Sequence, residues 1–355
     1  MTMLAEVVDA VIGIDTHRDT HEAEIADPAG RPIATMQVSN DSAGFARLLA
    51  AIAEAVPGPR VAVCIEGSRS YGIGLARALA AAGLLVIECE RPSRRRRRGK
   101  GKSDPIDAHL AVLAALRLDA RKLPVPRADG DREALRILLV ARQEITVTRT
   151  GQASRLRALL LAGDDTDRRA ARKTLGNTAL AGLAGRELPA QASREQAVRQ
   201  AEIRRLAVAL IQARQQLKDN HAQLLAIVDD IAPGLTARYG VGPVTAAQAI
   251  VSFSHPGRCR SEAAFAALGG TSPIPASSGQ TIRHRLNRGG DRALNRAIHA
   301  IAVTRMRSCP RTRAYVARRT AEGKTTREIR RCLKRYIARE LYRQLTQSMK
   351  PLTSP

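Results

Sequence analysis

Two short apolar runs that each end in an acid, VVDAVIGID at residues 7–15 and RVAVCIE at residues 60–66, set the narrowest limits on how this chain folds. Runs rich in Val and Ile, without the polar alternation of a half-wet strand, are the pattern of strands buried on both faces, which need helices above and below them. The neighbouring residues supply that cover. EAEIADPAGRPIATMQVS reads as two strands about a Pro/Gly turn, and DSAGFARLLAAIAEAV has helical spacing behind an Asp/Ser cap. YGIGLARALAAAG is a helix closed by Gly83, and LLVIECE is a further strand. The first third of the chain is therefore expected to be an α/β sheet with helices packed on it.

From about Asp131 to Asp230 the pattern becomes helical and highly charged. Leu206, Leu210, Ala213, Leu217, Asn220, Leu224 and Ile227 alternate steps of four and three, the spacing of a coiled-coil seam with one polar position. The seam predicts either an intermolecular or hairpin coiled coil, hence a homo-oligomer, or an amphipathic helix packed on its own domain. At about Ile231 the character changes again. APGLTARYGVGPVTAAQAIVSF carries a Gly-x-Gly turn between short helices, as helix-hairpin-helix modules do, and a Gly/Ser/Pro loop and basic helices follow. The expected division is 1–125 for the α/β domain, 126–230 for the helical region and 231–355 for a mainly helical C-terminal domain.

Charge narrows the class of partner. Lys and Arg outnumber Asp and Glu by 58 to 33, a formal net charge of +25, and such a field gathers polyanions. No long uninterrupted apolar stretch marks a membrane span, and the N-terminal residues carry acids where a signal peptide needs a basic region, so nucleic acid in the cytoplasm is the expectation. The five cysteines are scattered, without CxxC spacing, which supports neither a disulfide framework nor a zinc knuckle. Aromatics make up 2% of the chain, with no Trp, so phosphate contacts by Arg and Lys must carry most of the affinity.

Against that positive field the acids stand out. Asp15 and Glu66 each end an apolar strand, and Asp104 and Asp107 lie three apart in KSDPIDAH, on one face of a helix begun near Pro105. Directly before them runs RRRRRGKGK, with Arg94, Arg95, Arg96, Arg97, Arg98, Lys100 and Lys102 as candidate phosphate contacts. A carboxylate at the tip of a buried strand is costly unless it is paired or holds a metal. Taken singly, Asp104 reads as a helix cap and Asp15 as a solvated strand end; jointly, Asp15, Glu66, Asp104 and Asp107 read as an oxygen-ligand site for Mg²⁺ or Mn²⁺ acting on a phosphodiester. Glu88 and Glu90 are reserve strand-end acids, and His17 and His21 are expected in the first hairpin rather than on a metal.

The ordered set GIDTHRDTH, IEGSRSYG, KSDPIDA, GVGPVTA, SSG and RLNRGGDRALNRA resembles the DEDD transposases of the insertion-sequence family numbered one hundred and ten, relatives of the Piv-type DNA invertases. The resemblance spans about residues 10–340. It implies an RNase H-like (RuvC-like) domain carrying Asp15, Glu66, Asp104 and Asp107, a coiled-coil insertion, and a C-terminal transposase domain carrying a serine, Ser278, with Ser277 its adjacent alternative. It also implies donor and target double-stranded DNA as substrates and a bridge RNA as guide, in a bacterial, nucleoid-associated protein.

Attack by a serine on a phosphodiester gives a covalent phosphoserine that keeps bond energy for rejoining. Arg283, Arg285, Arg288, Arg292 and Arg296 follow the serine and are expected either to hold phosphates or to form a solvated basic face. Two other readings make different predictions. A structure-selective nuclease would need the acids and not Ser278, and a catalytically silent nucleic-acid-binding protein would need neither.

Overall fold

The computed structural model describes residues 2–89, 104–121, 123, 124, 126, 130–187, 191–275, 284, 285, 287 and 289–349, the side chains of Asp104, Pro105 and His284 excepted. Two compact units divide the chain, one built on Met1–Glu133 and the other on Ala134–Phe253 with Ser261–Met349. The predicted basic run from Arg94 to Lys102, Glu90, and the segment holding Ser277, Ser278 and Arg283 lie outside the described residues, as does Arg288.

The first unit holds a five-stranded sheet of β1 (Ala10–Thr16), β2 (Thr20–Ala26), β3 (Pro32–Ser39), β4 (Val61–Glu66) and β5 (Leu85–Cys89), ordered β3-β2-β1-β4-β5. Short turns join β1 to β2 and β2 to β3, so these strands pair antiparallel. Crossovers through α1 (Ser42–Ala55) and α2 (Ile73–Ala81) leave β4 parallel to β1 and β5 parallel to β4. Asp41 caps α1, its carboxylate accepting from the Gly44 amide at 2.8 Å, and Gly83 (φ +80°) ends the turn after α2.

Every residue of β4 and all but the last of β1 are buried, as their unbroken apolar runs predict. β3, at the edge, alternates instead. The two faces of the sheet carry separate cores. Ile12, Ile14, Val63 and Ile65 point to the side where Leu48, Leu75 and Leu79 of α1 and α2 pack. Val11, Ala62, Cys64, Ile87 and Cys89 point to the other side, against Ala111, Val112 and Ala115 of α3 (Asp104–Leu116).

Gly13 sets how closely α3 approaches. A Cβ there would fall 2.1 Å from the Ala108 carbonyl oxygen and 2.7 Å from Val112 Cγ2, so the helix backbone rests directly on the strand. The five cysteines are all free; a hydrogen bond with Cys89, and then burial, push the Cys64 thiol well up, so it stays protonated.

In the second unit α4 (Gly130–Leu161) and α7 (Arg194–Ile231) are long helices, with the short α5 (Asp165–Arg172) and α6 (Asn177–Ala184) between them. Leu156 and Leu160 of α4 and Leu180 and Leu183 of α6 share one core with Ile203, Leu206 and Leu210 of α7. The polar seam position, Asn220, is buried: its amide donates to the Leu138 carbonyl at 2.9 Å and its oxygen accepts from Arg142 at 3.3 Å. α7 covers much of its seam within the chain.

Beyond it stand α8 (Pro243–Phe253), α9 (Glu262–Leu268), the two-residue strands β6 (Ile274–Pro275) and β7 (His284–Arg285), α10 (Arg292–Ser308), α11 (Pro310–Ala321) and α12 (Thr326–Ser348). Phe253, Phe265 and Tyr342 meet with ring centroids 5.9–6.0 Å apart. Glu262 on α9 anchors α12 through Arg339 at 2.8 Å, with Arg335 and Arg343 at 3.6 Å. No described helix is long and apolar enough to cross a membrane.

Candidate active site

The register of the sheet decides which acids share a face. β1 and β4 run in step, with Gly13 opposite Cys64 and Ile14 opposite Ile65, so the next pair along is Asp15 and Glu66. Side chains two apart on a strand point the same way, and Gly13 and Cys64 face α3. Asp15 and Glu66 therefore project from neighbouring strand ends toward the α3 side. Both are buried, 8% and 6% exposed.

Local geometry fixes the ends of these strands. The Thr16 hydroxyl donates to the Glu66 carbonyl at 2.7 Å, tying β1 to β4. Gly67 then turns with φ +76°, where a Cβ would meet the Thr16 hydroxyl at 2.5 Å. Asp107 comes from α3 itself. It directly precedes Ala108, whose carbonyl touches Gly13, and it is 8% exposed. Asp104 opens the same helix one turn earlier.

His17, expected in the first hairpin, and two residues not anticipated from the sequence, Glu22 and Glu24, belong to this face. His17, in the β1–β2 turn, holds Nε2 3.3 Å from an Asp15 carboxylate oxygen. Glu22 is the cross-strand partner of Asp15, and Glu24 that of Gly13. Glu24 is buried and meets His109 Nδ1 of α3 at 2.6 Å, a contact that pins the helix to the sheet one residue past Ala108. The signal was present as period-two spacing in THEAEIA, where Glu22 and Glu24 must share a face with Asp15.

Other acids and histidines go elsewhere. Glu88 pairs with Ile65 in register, so it points to the opposite face from Glu66, where Arg69 meets it at 3.1 Å. His21 is fully buried on that same opposite face, its ring stacked on Phe45 at 6.2 Å. Of the downstream arginines, Arg285 on β7 and Arg292 and Arg296 on α10 are exposed, the latter two one turn apart.

The donors gathered by β1, β4 and α3 are carboxylate oxygens, which suit a hard divalent cation and not a thiolate- or imidazole-preferring metal. Among the described residues no three His, Cys, Asp or Glu side chains form a metal-holding group, and the Asp104 side chain is not among those described. In donor chemistry, and in the placement of Asp15 and Glu66 at adjacent strand ends, these carboxylates suit a Mg²⁺- or Mn²⁺-type ion.

An acidic face on an α/β sheet, followed in the chain by a strongly basic helical unit, is the make-up of an enzyme that works on nucleic-acid phosphates. Comparison with known proteins makes the class particular. Residues 12–162 match the DEDD-type IS110 transposases, and residues 234–317 match the family described as "Transposase IS116/IS110/IS902 family". The "Insertion element IS110 uncharacterized 43.6 kDa protein" of Streptomyces coelicolor is 26% identical over 369 residues, covering 90% of each chain. The chain belongs to the IS110 family of transposases. It is thus a DNA-acting protein of a family that is typically metal-dependent.

Proposed function

We propose that this transposase excises and inserts its mobile element by cutting and rejoining DNA through a covalent phosphoserine. In this reading the N-terminal domain, 1–125, is RNase H-like (RuvC-like), the region 126–230 forms a coiled-coil insertion, and 231–355 is the transposase domain that carries Ser278. The single observation that carries the proposal is the common face of Asp15 and Glu66, set by the β1–β4 register, on the side of the sheet where α3, the helix that bears Asp107, rests on Gly13. The strand order β3-β2-β1-β4-β5, with β2 antiparallel to both its neighbours and β1, β4 and β5 parallel, supports the RNase H-like assignment.

Asp15, Glu66, Asp104 and Asp107 would hold Mg²⁺ or Mn²⁺. When bound, the ion supplies charge stabilisation at the phosphate and at the attacking and leaving oxygens. The protein's own residues do the rest. The Ser278 hydroxyl attacks the scissile phosphorus, a P–O bond of the backbone breaks, and the departing strand oxygen takes a proton to leave as a hydroxyl. Rejoining is the reverse, with a strand hydroxyl displacing the serine oxygen, so no external energy source is consumed. His17, at 3.3 Å from Asp15, and the Glu24–His109 contact orient the acids and the helix that bears Asp107.

Guidance by a bridge RNA belongs to the same proposal. The charge of +25 favours a second polyanion, and base pairing would leave the protein to read backbone shape. An oligomer combining acids of one subunit with the serine of another is supported by apolar side chains on α4: Ile137, Val140 and Val147 are 55%, 55% and 61% exposed.

The test is strand cleavage by purified protein with Mg²⁺, donor DNA and flanking RNA. Asp15→Asn and Glu66→Gln, or removal of the cation by EDTA, are expected to lower cleavage by at least about a hundredfold. Glu88→Gln, on the opposite face, is expected to retain it. Full activity of folded Asp15→Asn would overturn the metal-site reading.

A further inference from the structure

Within the second unit, a cavity of about 670 Å³ opens between α12, the end of α11 and the loop Gly270–Pro273. Six cations line it: Arg285, Arg319, Lys324, Arg331, Lys334 and Arg335. The lining carboxylate, Glu328, is already engaged in the α12 cap, accepting from the Thr325 amide at 2.9 Å and hydroxyl at 2.8 Å. Arg319 pairs with Glu322 and Arg335 with Glu262, while Lys324 and Arg331 are exposed.

Lys334 is held differently. Its ammonium donates to Asn295 Oδ1 at 2.7 Å, while the Asn295 amide donates to the Gly269 carbonyl at 2.6 Å. That chain of bonds fixes the Gly270 wall against α12. Burial foremost, and then Arg292 and Arg330 near by, push the Lys334 pKa down.

The rim carries a platform as well. Tyr336 lines the cavity and is 53% exposed, its ring edge-on to Tyr315 at 6.1 Å, and the Arg318 guanidinium lies 5.5 Å from the Tyr315 ring centre. The chain has only five Tyr and three Phe, and Phe253, Phe265 and Tyr342 are used in packing α8, α9 and α12 together. Tyr336 packs edge-on against Tyr315 and leaves about half of its surface open beside the basic cavity.

We propose that this cavity binds an unpaired nucleotide, with its phosphates held by Lys324, Arg331 and Lys334 and its base against Tyr336. The volume is that of a small-ligand site, and bases stacked inside a duplex cannot reach a tyrosine face. The inference deepens the recombinase reading and rests on it for the source of the strand. Arg285 follows Ser278 by a few residues in the sequence, and it lines the same cavity. A nucleotide here would belong to a strand opened near the cleavage point or to a guide RNA, and both present the same phosphodiester and base.

The test uses the full chain with short oligothymidylate and oligouridylate strands carrying a photoreactive base. Adducts are expected on the peptide containing Tyr336. Tyr336→Ala, and the pair Lys324→Ala/Arg331→Ala, are each expected to reduce that adduct and to weaken strand binding about tenfold. The exposed control pair Arg307→Ala/Arg313→Ala, equal in charge removed, is expected to change either by less than about twofold. Loss with both strands identifies a shared backbone site, and loss with one alone names its source. Adducts elsewhere, with the cavity variants binding like the control pair, would overturn the proposal. Because binding is read without cleavage, a wild-type protein that binds here yet cuts no DNA would refute the recombinase reading and leave the cavity standing.

Discussion

At Gly13 a single missing methyl group decides whether α3 can lie on β1. Gly13→Ala would drive a carbon into the Ala108 carbonyl and Val112, neither of them a flexible side-chain tip. The expected cost is about 1–3 kcal/mol, read as a lower urea midpoint, together with a loss of cleavage larger than the unfolded fraction explains, because Asp107 moves with the helix. Equal and proportionate losses would mean that α3 does not position the acid. His21 makes a prediction of another kind. Burial pushes its imidazole below the ordinary value of about 6.5. The unfolded chain therefore binds a proton that the folded chain resists, so stability is full above that ordinary value and falls as pH drops through it. Between about pH 7 and about pH 5.5 the urea midpoint of the wild type should fall, and that of His21→Leu should fall less. An identical slope in the two proteins would contradict the assignment.

Among the elements, the α4–α7 pair is held at one point by polar groups. Arg142 donates to the Leu217 carbonyl at 3.0 Å and to Asn220, and Asn220 reaches across to Leu138. Asn220→Leu alone leaves the half-buried guanidinium short of a partner, at a cost of about 1–3 kcal/mol. Arg142→Met with Asn220→Leu is expected to recover most of that loss, since an apolar pair suits the seam. Additive losses in the double-mutant cycle would show that the two side chains do not act together. The strands, the helices of the sheet unit and the apolar seam of α7 were legible in the sequence because burial on both faces, and on one stripe, leaves a period that needs no tertiary knowledge. What covers the seam was not legible: Leu206 and Leu210 meet Leu156, Leu160, Leu180 and Leu183 of the same chain, and an apolar stripe does not say whose side chains will meet it. Asp15, Glu66 and Asp107 could be named from strand tips and an i, i+3 step, but the Glu24–His109 contact joins residues 85 apart and depends on strand register. The cavity at Tyr336 was hidden for the same reason, since Arg285, Lys334 and Asn295 come together only when β7, α10 and α12 pack.

The whole molecule, of net charge +25, comprises a sheet unit with carboxylates on its α3 side and a helical unit rich in exposed arginine. In the proposed reading, positive charge brings the phosphate backbone in and the acids hold the divalent cation that acts on it. The family matches at residues 12–162 and 234–317 fall on these two parts, the first containing the acids and the second Ser278. The central claim is that the two parts work as one serine recombinase, and the decisive measurement is covalent capture of the intermediate. Wild-type protein, Ser278→Ala and Asp15→Ala are incubated with Mg²⁺, flanking RNA and donor and target DNA, then resolved on a denaturing gel, and the linked peptide is identified by mass. The account predicts a DNA adduct on Ser278 in the wild type that is absent from both variants. DNA cleavage without an adduct, undiminished in Ser278→Ala, would contradict it and make the protein a nuclease that uses the acids alone.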